Sequence, residues 1–73
     1  MNNRGYDIVI HYSPEDECFL AAVPDLPGCI ADGETPSEAL KALEREIDLW
    51  IDVNKKRGIS IPKPSRKLEQ IFA

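Results

Sequence analysis

The chain reads as a small α+β protein: a three-stranded antiparallel meander, one long helix packed on the sheet, and a short fourth strand, in the order β-β-β-α-β. Three observations point there. Residues 6–12, YDIVIHY, alternate with period two. Residues 24–28, PDLPG, separate two apolar runs of strand length. The TPSE at residues 35–38 opens a long stretch with helical periodicity.

The first strand is expected over Tyr6–Tyr12, because β-branched and aromatic residues alternate there with Asp7, Val9 and His11. SPEDE, Ser13 to Glu17, is a polar turn, and CFLAAV, Cys18 to Val23, is the second strand of a hairpin. Two prolines with fixed φ and one permissive glycine then set a tight corner, Pro24 to Gly28. A short third strand, CIAD, follows at Cys29 to Asp32.

Thr35 is placed to cap a helix from Pro36 to about Arg57, with Pro36 in the first turn and Glu38 three residues after the cap. Lys55, Lys56 and Arg57 suit the negative end of the dipole, and Gly58 suits the position after the cap. Ala39, Leu40, Leu43, Ile47, Trp50, Ile51 and Asn54 share one face that must cover the sheet. Ala42, Leu49 and Val53 form an adjoining stripe. The two stripes span about 200°, more than a small sheet can cover, so a second contact with another subunit or a partner is expected, with Leu49 and Val53 the residues for a subunit interface. The sheet's other face is expected to carry some of Phe19, Ala21, Val23 or Val9 and to be only partly polar. ISIPKPS, after Gly58, reads as an extended linker. RKLEQIFA then suggests a short strand at a sheet edge, with one helical turn as the alternative.

At 73 residues a single domain, 1–73, is expected. A chain this small buries only about 60% of its unfolded surface, which makes oligomerisation useful. A net charge of −4 argues against a general phosphate-backbone binder and suits a basic partner. No apolar run approaches a membrane span, and no signal-peptide core is visible, so a cytoplasmic protein is expected, with Cys18 and Cys29 as thiols.

Little here speaks for catalysis. His11, the only histidine, has no glycine-rich loop or oxyanion motif beside it and reads as a strand residue on the outer face. His11, Cys18 and Cys29 lack metal-ligand spacing and a fourth ligand. Neither cofactor nor metal is expected. Trp50, Tyr6 and Tyr12 read as packing residues rather than base-stacking platforms, since no basic groove surrounds them. Asp7 is the only acid well inside an expected strand, which is too little for a metal-dependent nuclease. Glu15, Asp16 and Glu17 sit in a hairpin turn and Asp25, Asp32 and Glu34 in loops, where they are either solvated or together form an acidic face for a basic protein.

Pro24, Asp25, Leu26, Pro27, Gly28 and Cys29, followed by Gly33, Thr35, Glu38 and Ala39, resemble the signature of the HicB family of antitoxins. Gly58 and the IPKP segment, Ile61 to Pro64, fit as well. The likeness covers nearly the whole chain, and the proline corner combined with the helix start is specific. It implies a partial RNase H-like fold without the nuclease's catalytic carboxylates. It also implies the antitoxin half of a type II toxin–antitoxin pair, not an enzyme. The implied partner is a HicA-like toxin, a small basic mRNA endoribonuclease with a catalytic histidine, which the antitoxin covers. Full-length members carry a C-terminal DNA-binding module. RKLEQIFA is too short for one, so no direct nucleic-acid binding is expected. The alternative is an orphan homo-oligomeric binding module, a dimer or a tetramer, without a toxin.

Overall fold

The computed structural model describes residues 4–65. Strands β1 (Val9–Ser13), β2 (Cys18–Ala22) and β3 (Ile30–Gly33) form one antiparallel sheet in the order β1-β2-β3, and helix α1 spans Pro36–Lys56. The meander and the long helix are therefore as expected. The final strand was expected in residues 66–73, which lie outside the described residues.

The strand ends each differ by one residue from expectation, β1 closing at Ser13, β2 at Ala22 and β3 at Gly33, and two strand starts shift for the same physical reason. β1 begins at Val9, opposite Ala22, rather than at Tyr6. Beyond Ala22 the neighbouring chain turns into the proline corner, so residues 6–8 have no ladder to join. Tyr6 and Ile8 nevertheless pack into the core as the alternation requires. Likewise Cys29 belongs to the corner, and β3 begins at Ile30.

The corner is two β-turns back to back. Leu26 N–H donates to Val23 C=O (3.1 Å), and Cys29 N–H donates to Leu26 C=O (3.0 Å). Pro24 and Pro27 each take the second position of a turn, where a fixed φ helps and no N–H is needed. Gly28 follows Pro27 with φ +81°, as a type II turn demands. Val23 N–H closes the corner on Cys29 C=O at 3.1 Å. Leu26 points inward from its tip and is almost fully buried.

The helix is capped at both ends. Thr35 Oγ1 accepts from Glu38 N–H at 3.1 Å. The Glu38 carboxylate reaches back to Glu34 N–H (3.2 Å), one residue before the cap, in a variant of the capping box. At the other end Gly58 N–H donates to Lys55 C=O and Ile59 N–H to Asn54 C=O, the bonding pattern of a Schellman motif, with Gly58 at φ +74°. Ala39, Leu43, Ile47 and Ile51 form the buried stripe. They meet Tyr6, Ala21, Val23, Leu26 and Cys29 in one core.

The helix lies over β3 and β2 and barely reaches β1. Ala21 and Val23 are in the core, so the expectation that either lines the opposite face is corrected. Strand parity is the reason: the register pairs Val9 with Ala22 and Ala22 with Ile30, and these three share the outer face. Phe19 shares parity with Ala21 and packs beside the core from the helix side. Of the four residues named, only Val9 is on the outer face.

The expected linker is a packed strap. Ile61 rests against the core, and Tyr6 Oη donates to Pro62 C=O. Ser65 donates from both N–H (2.9 Å) and Oγ (3.0 Å) to Asp25 Oδ2. The chain after the helix is thereby tied to the proline corner and to the lead-in of β1.

Candidate functional site

The outer face of the sheet has no covering layer among the described residues. Its cross-strand rows are Val9–Ala22–Ile30, then His11–Leu20–Asp32, then Ser13–Cys18. Val9 and Ile30 are large apolar residues at 41% and 52% exposure. They flank half-buried Leu20 and Ala22, so the centre of this face is apolar.

An open groove of about 520 Å³ runs along it, lined by Asp16, Cys18, Leu20, Ile30, Ala31 and Asp32. Its floor is apolar, and two carboxylates stand at its margin. Asp16 comes from the β1–β2 turn and Asp32 from β3, sixteen residues apart in sequence. The local chemistry registers both: the Cys18 thiol is pushed above its ordinary value, first by desolvation, then by the charges of Asp32 and Asp16.

Of the three turn acids singled out in the sequence, Asp16 alone lines the groove. Its Oδ2 accepts from Ser13 Oγ at 3.1 Å, which fixes the turn. Glu15 and Glu17 are exposed beside it, Glu17 with φ +51° where the turn rejoins β2. Ile30 and Leu20 were missed as surface residues, and Asp32, expected in a loop as part of an acidic face, lies in β3 instead. Period-two parity across three strands would have found them, had the third strand's register been known.

The other sequence-derived site is separate from this groove. Leu49 and Val53 lie on α1 at 55% and 40% exposure, away from the sheet. On the helix side of β1, Ile10 and Tyr12 also stay exposed because α1 does not reach them, and Tyr12 packs edge-to-face on Phe19 at 5.2 Å.

His11 is exposed on the outer face, as expected, and its Nδ1 lies 3.3 Å from Tyr12 C=O. Both cysteines are free thiols, Cys29 buried and Cys18 half-buried. Among the described residues no three His, Cys, Asp or Glu side chains are grouped to hold a metal ion. No helix there is long and apolar enough to cross a membrane. Asp7 precedes β1 rather than lying inside a strand. Trp50 is half-buried against the core and donates from Nε1 to Pro27 C=O (2.9 Å), fastening the helix to the proline corner.

The site is thus an apolar, acid-margined sheet face with no catalytic constellation visible among the described residues.

The chain is 35% identical over 66 residues to the UPF0150 protein ssl0259 of Synechocystis sp., covering 90% of this chain and 89% of that protein. It is 38% identical over 55 residues to the UPF0150 protein Ta0767 of Thermoplasma acidophilum, covering 75% and 80%. No solved structure matches it significantly. A family profile described as the HicB-like antitoxin of bacterial toxin–antitoxin systems matches residues 6–73. With that match running from the buried Tyr6 through the proline corner and the capped helix, the chain belongs to the HicB-like antitoxin family.

Proposed function

We propose that this chain acts as an antitoxin that binds and covers a small, basic, HicA-like mRNA endoribonuclease, and that it has no catalytic role of its own. The observation that carries the reading is the uncovered outer face. An apolar floor of Leu20 and Ile30 supplies a contact core, and Asp16 and Asp32 supply charge opposite to the partner's. Glu15 and Glu17 extend that charge and steer the encounter. A toxin that cuts mRNA works in the cytoplasm, and the reading puts its antitoxin there.

The test is inhibition of a HicA-like ribonuclease by the purified chain, with binding kinetics at two ionic strengths. The variant Glu15→Lys/Asp16→Lys/Glu17→Lys should associate more slowly, most visibly at low salt. Unchanged association would remove the acidic surface from the reading, and an uninhibited ribonuclease would remove the antitoxin itself.

A second reading has an observation of its own. The exposed Leu49 and Val53 favour a homo-oligomeric binding module, with the helix flank at the subunit contact. Leu49→Asp should then yield monomers.

A further inference from the structure

The free edge of β3 completes this picture. Val23 N–H donates to Cys29 C=O, and the register runs on through Ala21↔Ala31 and Phe19↔Gly33. In an antiparallel ladder, bonded pairs alternate with non-bonded ones. Cys29, Ala31 and Gly33 therefore turn their backbone groups toward β2, and Ile30 and Asp32 turn theirs outward. Among the described residues nothing pairs with that edge.

We propose that two copies of this chain pair edge to edge through β3, about a two-fold axis at Ala31, to form a continuous six-stranded sheet. A two-fold perpendicular to the sheet keeps each face on its own side, so residues of like parity must meet. Three registers are then available, centred on Ile30, Ala31 or Asp32. The Ile30 register opposes Ile30 to Ile30, and the Asp32 register opposes two carboxylates, which destabilises a pair. The Ala31 register sets Ile30 against Asp32 of the second copy, twice. It alone satisfies the N–H and C=O of all four outward residues, and it keeps like charges apart.

The helices fit the same arrangement. With α1 over β2 and β3, its axis stands about one strand spacing from the dyad. The two helices then run antiparallel about 10 Å apart, a normal packing distance. Pairing through β1 would hold them about 20 Å apart and leave Ile10 and Tyr12 uncovered. The helix also presents its spare apolar stripe on the β3 side. Trp50 reaches Pro27, at the corner leading into β3, while Asp48 holds Arg4, ahead of β1, on the opposite flank. Val53 and Leu49 lie ~60° and ~100° past Trp50 on the corner flank. The assembly would carry both outer faces on one side, offering two grooves to two toxin molecules.

The proposal rests on the homo-oligomer reading and is independent of the toxin. It is tested by the mass of the purified full chain across a concentration series, together with amide hydrogen exchange at Ile30 and Asp32. A dimer with both amides protected is expected. Ile30 is exposed, so it tolerates charge: Ile30→Glu should weaken the dimer roughly tenfold by facing Asp32, and Ile30→Arg should hold or strengthen it. Asp32→Pro, which removes only an outward N–H, should give a folded monomer. A chain that stays monomeric overturns both the oligomer reading and this one. A dimer lost in Leu49→Asp but indifferent to all three edge variants leaves the oligomer standing and overturns the β3 pairing. Amides protected only after addition of a ribonuclease toxin would assign the edge to that partner and also overturn it.

Discussion

Neighbouring residues of one strand meet opposite environments in this protein. In β2, Ala21 is fully buried under α1, and Val23 just beyond the strand is nearly so, while Leu20 and Ala22, which alternate with them, stay half in solvent. All four are apolar. Hydrophobicity alone did not sort them; parity and the position of the helix did. The buried side holds the fold together, and the other side has no covering layer among the described residues.

A matched pair of truncations is the strongest way to break that comparison. Leu43→Ala empties the middle of the core and should cost about 3 kcal/mol in a denaturant titration. Leu20→Ala, on the outer face, should cost under about 1 kcal/mol, because its site is already partly wet. Equal losses would mean that the outer face is covered in solution.

Gly33 probes how closely the helix sits on the sheet. A Cβ there would stand 2.4 Å from Ala39 N and 2.8 Å from Glu38 C, both backbone atoms that cannot swing aside. Gly33→Ala should therefore lift the helix start and lower stability by about 2 kcal/mol. An unperturbed melt would show that the helix start does not press on β3.

Trp50→Phe keeps an aromatic ring at the core's edge but deletes the bond to Pro27 C=O. The expected loss is about 1 kcal/mol, with faster amide exchange in the proline corner. Stability loss without change in the corner would sever the proposed link between the two.

The smallest effect compares the thiols. Cys29, in the core, is raised above its ordinary 9.0 by desolvation and then by Glu46. A group that ionises later when folded than when unfolded stabilises the fold below pH 9, and the contribution disappears as pH rises through the folded value. Stability should fall as pH rises past 9, and Cys29→Ala should flatten that fall. Tyr6, raised above 10.0 by burial and then by Asp25, adds the same sign higher up. A thiol reagent should label Cys18 in the native protein and Cys29 only on unfolding.

Much of the architecture is local and was legible in the chain. The period of residues 6–12, the two prolines and glycine of the corner, and the Thr35–Glu38 cap each set their own backbone conformation within a few residues. Gly58 did the same at the helix end. The errors fell where a distant partner decides. The start of β1 depends on where β2 stops. The faces assigned to Ala21 and Val23 depend on which side α1 docks. The strap looked like a linker because proline-rich segments have no periodicity, and its anchors, Tyr6 and Asp25, lie 56 and 40 residues away. Half of the acidic site was readable as the turn at residues 15–17. Asp32 was also read as an acid of that face, but in a loop; its place on β3 beside the groove that Asp16 lines is set by the β2–β3 register.

The sequence by itself determined the elements, their order, their caps and turns, and the family. Those follow from short-range sterics, hydrogen bonding and periodicity, which act along the chain. Only the tertiary structure decided which apolar residues became core, which carboxylates share a groove, and which strand edge is unpaired among the described residues. Those follow from excluded volume between distant segments: one helix can cover only part of a three-stranded sheet, and where it lies determines what it leaves exposed.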